Sequence, residues 1–303
     1  MKIRYGTRGS KLALLQSRLA VSIVKNANKE IEFEEVLIKT LGDKVTDVPL
    51  FKVGGQGLFI KEIEQALIDK RIDIAIHSLK DLPFNLAEGL CLLCVGCEED
   101  ARDCLISKNG ESLQKLPPNS KIGTSSLRRR AQFLTLRNDI SFVDMRGNID
   151  TRLKKLENNE AAAIILASAG LNRLGLSDKI TEHFSVNQIV PAVGQGLLAI
   201  ECREEDKNDL KAVFKTFANE KALIRAKAER KFLETMNAGC SMPITAHATI
   251  NVSNIMLQTF LSDDTFKNSI SDCFHGSTNK PEELGIEAAN ELLNARALLN
   301  INC

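Results

Sequence analysis

The residues best suited to chemistry follow a short apolar run near position 75. The segment Asp73 to Pro83 reads Asp-Ile-Ala-Ile-His-Ser-Leu-Lys-Asp-Leu-Pro. Such a run is typical of a strand buried on both faces, and ligands of open α/β sheets bind just beyond the carboxyl ends of strands. Lys80 and Asp81 are therefore candidate site residues. The alternative is a surface turn in which Asp81 caps the backbone and Lys80 is solvated.

Arginine and hydroxyl side chains follow three further strand-like segments, which begin at residues 121, 142 and 161. Cations crowded at one rim repel one another unless anions lie among them, and the guanidinium group binds carboxylates or phosphates through two parallel hydrogen bonds. One such cluster alone would fit a solvated face. Three in succession predict a cleft for a polyanionic small molecule. The side chains concerned are Ser125, Ser126, Arg128, Arg129, Arg146, Arg152 and Arg173.

Two glycine-containing segments in the first quarter of the chain also bear on function. The turn Gly6-Thr-Arg-Gly-Ser10 places Arg8 and Ser10 at a predicted helix N-terminus, where they form either an anion site or a plain cap. The connection 43–57 is long enough to be a functional lid or a disordered segment, and it lacks the spacing of a phosphate-binding P-loop. We expect a mobile loop at Lys52, Gly54, Gly55, Gln56 and Gly57.

Four of the eight cysteines lie close together, at positions 91, 94, 97 and 104. Their spacing suggests a metal site, but residues three apart on a strand point to opposite faces, so the thiols would not converge on one ion. Buried packing as small hydrophobic side chains explains them better, and we expect no metal.

Composition narrows the functional class. The 303 residues are 44% hydrophobic and 26% charged with a net charge of +1, which is ordinary for a globular protein of two or three domains. The neutral balance and the 5% aromatic content argue against a nucleic-acid coat protein. There is no apolar run of membrane-spanning length and no apolar signal region at the N-terminus. We therefore expect a cytoplasmic protein with reduced thiols.

The order of predicted elements indicates an α/β protein with a distinct C-terminal part. Strand and helix patterns alternate up to residue 190, which implies mixed sheets covered by helices. Pro191-Ala-Val-Gly-Gln-Gly196 reads as a crossover between lobes, and a strand follows at 198–202. The charged stretch Glu220 to Lys231 is interpreted as a solvated helix face. Segments 244–251, 254–261 and 265–274 alternate like antiparallel strands before an amphipathic helix at 282–299.

Taken together, these residues resemble the porphobilinogen deaminase (hydroxymethylbilane synthase) family of tetrapyrrole biosynthesis. No single stretch would suffice, but the ordered set is specific. The matching stretches are Thr7-Arg-Gly-Ser-Lys-Leu-Ala13, Lys52-Val-Gly-Gly-Gln-Gly-Leu-Phe59, His77-Ser-Leu-Lys-Asp-Leu-Pro83, Gly123-Thr-Ser-Ser-Leu-Arg-Arg129, Arg146-Gly-Asn148, Thr151-Arg152, Ala169-Gly-Leu-Asn-Arg-Leu-Gly175, Pro191-Ala-Val-Gly-Gln-Gly196 and Gly239-Cys240.

The resemblance implies a fold and a domain plan. Two lobes are expected to resemble type II periplasmic binding proteins, with a small α+β C-terminal domain beside them. The expected first domain comprises residues 1–98 with 197–216, the second 99–196 and the third 217–303. The resemblance also suggests a monomer with a small-molecule substrate and no nucleic-acid or membrane partner.

The resemblance further implies a reaction. Four porphobilinogen molecules are deaminated and joined to a dipyrromethane cofactor, which a thioether attaches to Cys240, and hydroxymethylbilane and ammonia are released. Asp81 is the expected catalytic residue, because a carboxylate stabilises the positive charge that develops on pyrrole nitrogens. The remaining alternative is a two-lobed anion-binding protein without catalysis.

The sequence departs from the family's usual residues at two places. Gln56 stands where the family often has lysine, and Asn237-Ala238 precedes the Gly-Cys pair where an acidic residue and glycine are more usual.

The family's ligand-binding residues are transferred to the matching positions of this sequence. The cofactor-binding positions are Cys240, Lys80, Asp81, Ser125, Ser126, Arg128, Arg129 and Arg146. The substrate-binding positions are Arg8, Ser10, Arg146, Arg152, Arg173 and Gln195.

Overall fold

Three β-sheets organise the chain in the computed structural model, which describes residues 1–40, 60–238 and 242–298. Two of them are five-stranded, mixed and covered by helices, and the third is a three-stranded antiparallel sheet near the C-terminus. The predicted fold class, two α/β lobes with mixed sheets and a small α+β C-terminal domain, is confirmed.

The first sheet has the strand order β2-β1-β3-β10-β4. Strand β1 is parallel to β2 and β3, whereas β10 is antiparallel to both β3 and β4. Helix α1 begins where the Ser10 hydroxyl accepts a hydrogen bond from the backbone N–H of Ala13 at 3.3 Å. The elements are β1 (Lys2–Thr7), α1 (Lys11–Ala27), β2 (Glu32–Leu37), α2 (Lys61–Ile68), β3 (Ile74–Ser78), β4 (Leu90–Gly96) and β10 (Leu198–Arg203).

The second sheet repeats the pattern with the order β7-β6-β8-β5-β9. Again four strands share one direction, and the antiparallel strand, β5, lies in the fourth position. The elements are β5 (Asp103–Ser107), β6 (Lys121–Gly123), α3 (Leu127–Leu136), β7 (Ser141–Val143), α4 (Ile149–Glu157), β8 (Ala163–Ala167), α5 (Ser168–Arg173) and β9 (Glu182–His183).

Each antiparallel strand is the first strand after the chain passes between the sheets. Residues 97–102 lead from β4 to β5, and residues 184–197 lead from β9 back to β10. The two crossover segments touch, because the backbone N–H of Glu99 donates to the Gly196 carbonyl at 3.1 Å. A Cβ at Gly196 would lie 2.4 Å from the Glu99 carbonyl oxygen, and its φ is +91°, so this contact requires glycine.

The C-terminal part follows helix α6 (Lys207–Val213) and consists of helix α7 (Glu220–Thr235), the third sheet and helix α8 (Pro281–Leu298). The sheet contains β11 (Ile244–Asn251), β12 (Asn254–Ser262) and β13 (Ser269–Ser277). Phe232 of α7 and Leu257 of β12 are fully buried in the core between them.

Strand β13 begins later than the predicted residue 265. The Asp263 carboxylate accepts hydrogen bonds from the backbone N–H groups of Thr265, Lys267 and Asn268, and this folds residues 263–268 into a turn.

The expected orientation of the cysteines was wrong. The register between β4 and β10 shifts at Ile200 and Glu201, and this irregularity turns Cys91 and Cys94 toward one core cluster. Their interpretation as packed side chains still describes the structure, since Cys94 is buried and its burial raises the pKa of the thiol to about 12. The Cys91 sulfur lies 3.8 Å from that of Cys202.

Candidate functional site

The Asp81 turn follows β3 directly. Residues Leu79–Asp81 form one turn of 3-10 helix, closed by a 3.1 Å hydrogen bond from the Leu82 N–H to the Leu79 carbonyl. Leu79 is buried, and its own N–H donates to the Leu197 carbonyl at 2.9 Å. The Asp81 side chain is exposed on this fixed support. The buried Leu79 therefore fixes the turn that carries the Asp81 carboxylate just beyond the end of β3, where the sequence predicted it.

Lys80 is half-buried and points to the return crossover, where its Nζ donates to the Gln195 Oε1 at 3.4 Å. Burial lowers the pKa of the Lys80 ammonium to about 8. Arg129 and Arg128 lower this pKa further, and Asp81 partly opposes them. The ammonium group is therefore held beside other cations, in a place that favours an anionic ligand.

A buried carboxylate organises the neighbouring arginines. Asp103 at the start of β5 has no exposed surface, and it accepts hydrogen bonds from Arg128 Nη2 at 2.8 Å and Arg129 Nη2 at 2.7 Å. Both arginines are themselves buried, and their charges hold the pKa of the Asp103 carboxyl well below its usual range despite the burial. Arg128 also donates to the Val190 carbonyl at 2.7 Å.

Gln195 connects this cluster to Lys80. Its Nε2 donates to Asp103 Oδ1 at 2.9 Å and to the Ala101 carbonyl at 2.7 Å, while its Oε1 faces Lys80. Sequence reasoning identified Gln195 and both arginines but missed Asp103. The available signal was a lone acidic residue at the head of an apolar strand, in a lobe where arginines needed an anion among them.

Arg152 and Arg146 extend the cationic region toward Asp81. Burial, with help from Arg129 and Arg146, lowers the pKa of Arg152 to about 10, and Asp81 raises it in part. Arg152 Nε donates to the Gly147 carbonyl at 2.8 Å. Within the described ranges, the buried atoms Arg129 Nε and Arg146 Nη1 have no hydrogen-bond partner. Both are unpartnered donors inside the cationic cluster.

The predicted serines are engaged with the backbone. Ser125 Oγ accepts from the Met145 N–H at 3.0 Å, and Ser126 Oγ caps α3 by accepting from the Arg129 N–H at 3.4 Å. Ser10 caps α1 in the same way. Arg8 is half-buried in the turn between β1 and α1. The cap roles that the sequence left open are thus present, and ligand contacts by these residues stay a prediction.

Arg173 lies at the crossovers. Its Nη2 donates to the carbonyls of Cys97 and Gly196, each at 2.7 Å, and burial lowers its pKa. It therefore ties the two crossover segments together, and its role in substrate binding also stays a prediction.

The charged face of α7 is not solvated as expected. Arg225 is 4% exposed and Glu229 is fully buried. Glu229 accepts from Arg225 Nε at 2.7 Å, from the Gly194 N–H at 2.6 Å and from the Ala248 N–H at 2.8 Å. Arg225 and the other donors lower the pKa of Glu229 to about 2. Helix α7 is thus bound to the return crossover by a buried, charge-assisted hydrogen bond from the Gly194 N–H to Glu229.

A cavity lies where the two lobes meet the C-terminal domain, and it brings several predicted cofactor positions close to residue 242. Its walls combine basic and apolar side chains, including Lys80, Ser126, Arg128, Leu79, Phe84, Val193, Leu233 and Met242. Met242 comes two residues after Cys240 in the sequence. Cys240 itself and the predicted mobile loop, Lys52 to Gly57, lie outside the described residues, as does Gln56 within that loop.

Fold and site together define a two-lobed α/β protein with a cluster of buried cations and a C-terminal part bound to its crossover. The model of the family described as "Porphobilinogen deaminase, dipyromethane cofactor binding domain" matches residues 3–211, and that of "Porphobilinogen deaminase, C-terminal domain" matches residues 223–294. The chain belongs to the porphobilinogen deaminase family.

Individual relatives agree with this assignment. The chain is 43% identical over 292 residues to the porphobilinogen deaminase of Geobacter sulfurreducens, covering 96% of this chain and 91% of the relative. It is 46% identical over 293 residues to that of Bacillus subtilis, covering 95% and 91%. The chain is thus an enzyme, a transferase of tetrapyrrole biosynthesis with a dipyrromethane cofactor-binding domain, and the purely anion-binding alternative is not favoured.

Solved structures with similar folds include the probable amino-acid ABC transporter extracellular-binding protein ytmK from Bacillus subtilis. It has 9% identity and a TM-score of 0.45, covering 71% of this chain and 90% of that one. The alkanesulfonate-binding protein SsuA from Xanthomonas axonopodis pv. citri has 11% identity and a TM-score of 0.39, covering 79% and 76%. In the described ranges, every helix is too short or too polar to traverse a bilayer.

Proposed function

We propose that this cleft deaminates porphobilinogen and joins four molecules of it head to tail, and that hydrolysis by one water molecule then releases hydroxymethylbilane, with four molecules of ammonia lost in all. One observation carries the proposal. Asp81 is an exposed carboxylate at the rim of a buried cationic cluster. Its negative charge raises the pKa values of Lys80 and Arg152, which burial lowers. Cations alone would bind an anion, whereas this carboxylate can also stabilise a cation that develops during a reaction.

The residues around the cavity fit a dipyrromethane. Such a group carries acidic side chains on flat apolar rings, and the cavity offers Lys80, Ser126 and Arg128 between apolar walls such as Leu79 and Phe84. We propose that Cys240 holds it through a thioether, since Met242 lies at the same cavity. When bound, this group would supply the nucleophilic pyrrole carbon to which the first substrate is added.

Substrate carboxylates are proposed to bind Arg152 and the unpartnered N–H group of Arg146, whereas the unpartnered N–H group of Arg129 is proposed to bind the cofactor. A buried, pre-oriented guanidinium loses little entropy when it binds a carboxylate. Asp103 keeps Arg128 and Arg129 in place through its two hydrogen bonds. Ser10, Arg8, Ser125, Arg173 and Gln195 complete the proposed binding set.

Asp81 is proposed to accept hydrogen bonds from pyrrole N–H groups while positive charge builds on the ring. Its carboxylate is mounted on the 3-10 turn Leu79–Asp81, which the buried Leu79 fixes to the return crossover. Because such a fixed charge needs no reorganisation during the reaction, it lowers the barrier more than it strengthens substrate binding.

The sheets suggest how the domains are divided. We propose a first domain of residues 1–98 and 197–216, a second of 99–196 and a third of 217–303, since β10 pairs with β3 and β4 while β5 pairs with β8. The glycine-rich stretch from Lys52 to Gly57 is proposed as a mobile loop.

We also propose that the protein acts as a monomer in the cytoplasm, without nucleic-acid or membrane partners. The buried free thiols of Cys94, Cys104 and Cys202 fit a reducing compartment.

Product stoichiometry tests the proposal. Purified protein is incubated with porphobilinogen, and ammonia and the linear tetrapyrrole are quantified over time. The proposal predicts four ammonia molecules per tetrapyrrole. Binding of porphobilinogen without release of ammonia would refute it.

A further inference from the structure

Arg230 on helix α7 contacts the backbone that follows Asp81. Its Nη2 donates to the Pro83 carbonyl at 2.8 Å and to the Phe84 carbonyl at 3.0 Å, and its Nη1 donates to the Leu82 carbonyl at 3.2 Å. One guanidinium group of the C-terminal part thus binds three consecutive carbonyls of the first lobe. The side chain is half-buried where it does so.

These contacts follow Asp81 in the chain, whereas the return crossover contacts the turn at its first residue. On the crossover side, the Leu79 N–H binds the Leu197 carbonyl, and Leu79 packs so closely on Gly194 that a Cβ there would lie 2.8 Å from its Cγ. On the other side, Arg230 holds the chain immediately after Asp81. Since Asp81 is exposed, its position depends on its backbone neighbours: Leu79 and Leu82 are buried, and Arg230 binds the carbonyls of residues 82–84.

Helix α7 is a rigid carrier for this contact. Glu229, the preceding residue, is fully buried and bound to the Gly194 N–H, so the helix is fixed to the crossover next to Arg230. The helix ends at Thr235, five residues before Cys240 in the sequence. The element that leads to the cofactor cysteine therefore also holds the catalytic turn.

We propose that Arg230 is a positioning residue for catalysis, acting through the Leu82–Phe84 backbone to hold the Asp81 carboxylate in its reactive place. The inference rests on the role proposed for Asp81 above. Arg230 also lines the cavity proposed for the dipyrromethane, and the role proposed here is the separate one that it exerts through the backbone next to Asp81. A displacement of about 1 Å at a reacting group can lower the rate roughly 100-fold. Loss of the Arg230 contact is therefore expected to lower kcat.

Replacement of Arg230 tests the inference, with Lys227→Gln as the matched control. Lys227 lies on the same helix but pairs with Glu282 on α8, away from the turn. Arg230→Gln is expected to lower kcat about 10- to 100-fold with KM changed little. Arg230→Lys should fall between, because an ammonium group cannot reach three carbonyls with the planar geometry of a guanidinium. The control should keep the wild-type kcat.

Hydrogen exchange supplies a readout that needs no turnover. In Arg230→Gln, backbone amides of peptides covering residues 79–84 should exchange faster, while peptides from β11 and β12 keep their wild-type protection. Equal loss of protection throughout the C-terminal part would show a general structural role and overturn the proposal. Intact mass should show the same covalent cofactor content in the variants as in the wild type.

A double-variant cycle completes the test. If Arg230 acts through Asp81, Arg230→Gln should reduce kcat much less in an Asp81→Glu background than in the wild type. Fully additive losses, or an unchanged kcat in Arg230→Gln, would overturn the inference. Failure of the wild type to release ammonia from porphobilinogen would instead refute the proposed function, so the two failures are distinguishable.

Discussion

The carboxylate of Asp103 lies 2.8 Å from Arg128 Nη2, in the interior of the second lobe. The same carboxylate binds Arg129 at 2.7 Å, so one buried negative charge holds two of the predicted ligand-binding cations. Such a charge makes it possible to place cations close together before any anionic ligand arrives.

Replacing Asp103 by Asn should destabilise the fold strongly. Two buried guanidinium groups would lose their counter-charge, and breaking a buried ion pair in this way costs about 3–5 kcal/mol. Chemical denaturation measures the difference. Asp144→Asn is the control, since Asp144 pairs with Arg130 at a half-exposed position and should matter far less. An equal effect of the two substitutions would contradict this account of Asp103.

The same carboxylate predicts an acid sensitivity. Its pKa in the folded protein is well below the ordinary value of 3.8, so its contribution to stability is complete above that value and is lost as the pH falls below it. Unfolding measured between pH 5 and pH 2 should show a shallower decline in the Asp103→Asn variant.

Lys80 should make substrate capture depend on pH. Its pKa of about 8 means that the ammonium loses its proton, and its attraction for a substrate carboxylate, as the pH rises through that value. The ratio kcat/KM reports groups of the free enzyme, so for porphobilinogen it should decline above pH 8. In Lys80→Arg, whose guanidinium remains charged, this decline should be absent. Identical profiles would contradict the assignment.

Asp81→Asn should separate binding from turnover. We expect kcat to fall by about 100- to 1000-fold with KM nearly unchanged, because the charge that Asp81 faces develops only during the reaction. Glu88→Gln changes an exposed carboxylate seven residues further along the chain and serves as the control. A rise in KM at constant kcat would show that Asp81 binds substrate without stabilising the transition state.

Glu229→Gln should loosen the C-terminal part. The amide cannot accept from all the donors that now face Glu229, and Arg225 would keep Glu98 as a charged partner at 3.1 Å. A loss of about 3–5 kcal/mol is expected from thermal or chemical unfolding. Glu234→Gln removes a half-exposed pair with Lys231 on the same helix and should cost about 1 kcal/mol or less.

Local patterns predicted the strands and the Asp81 turn well. The isoleucine-rich run before Asp81 is β3, and the helix starts at Ser10 and Ser126 are capped by those side chains. Sequence-adjacent residues decide such features, because hydrophobic runs and caps act over a few positions.

Features that depend on distant partners could not be predicted. The charges of α7 indicated a solvated helix, yet the crossover around Gly194 buries Glu229 and supplies a donor to it. Likewise, the role of Asp103 as the counter-charge of two arginines depends on the packing of α3 against β5, which the local sequence does not show. The β-bulge in β4 opposite Ile200 and Glu201, which turns Cys91 and Cys94 to one side, has no local signal either.

The covalent cofactor is the most direct test of the whole account. Intact-mass measurement of freshly purified holoprotein should give the polypeptide plus a dipyrromethane, with a pyrrole colour on reaction with an aldehyde reagent. The Cys240→Ala variant should show the polypeptide mass alone and no activity. A holoprotein with only the polypeptide mass and no pyrrole colour, or a fully active Cys240→Ala variant, would contradict the account.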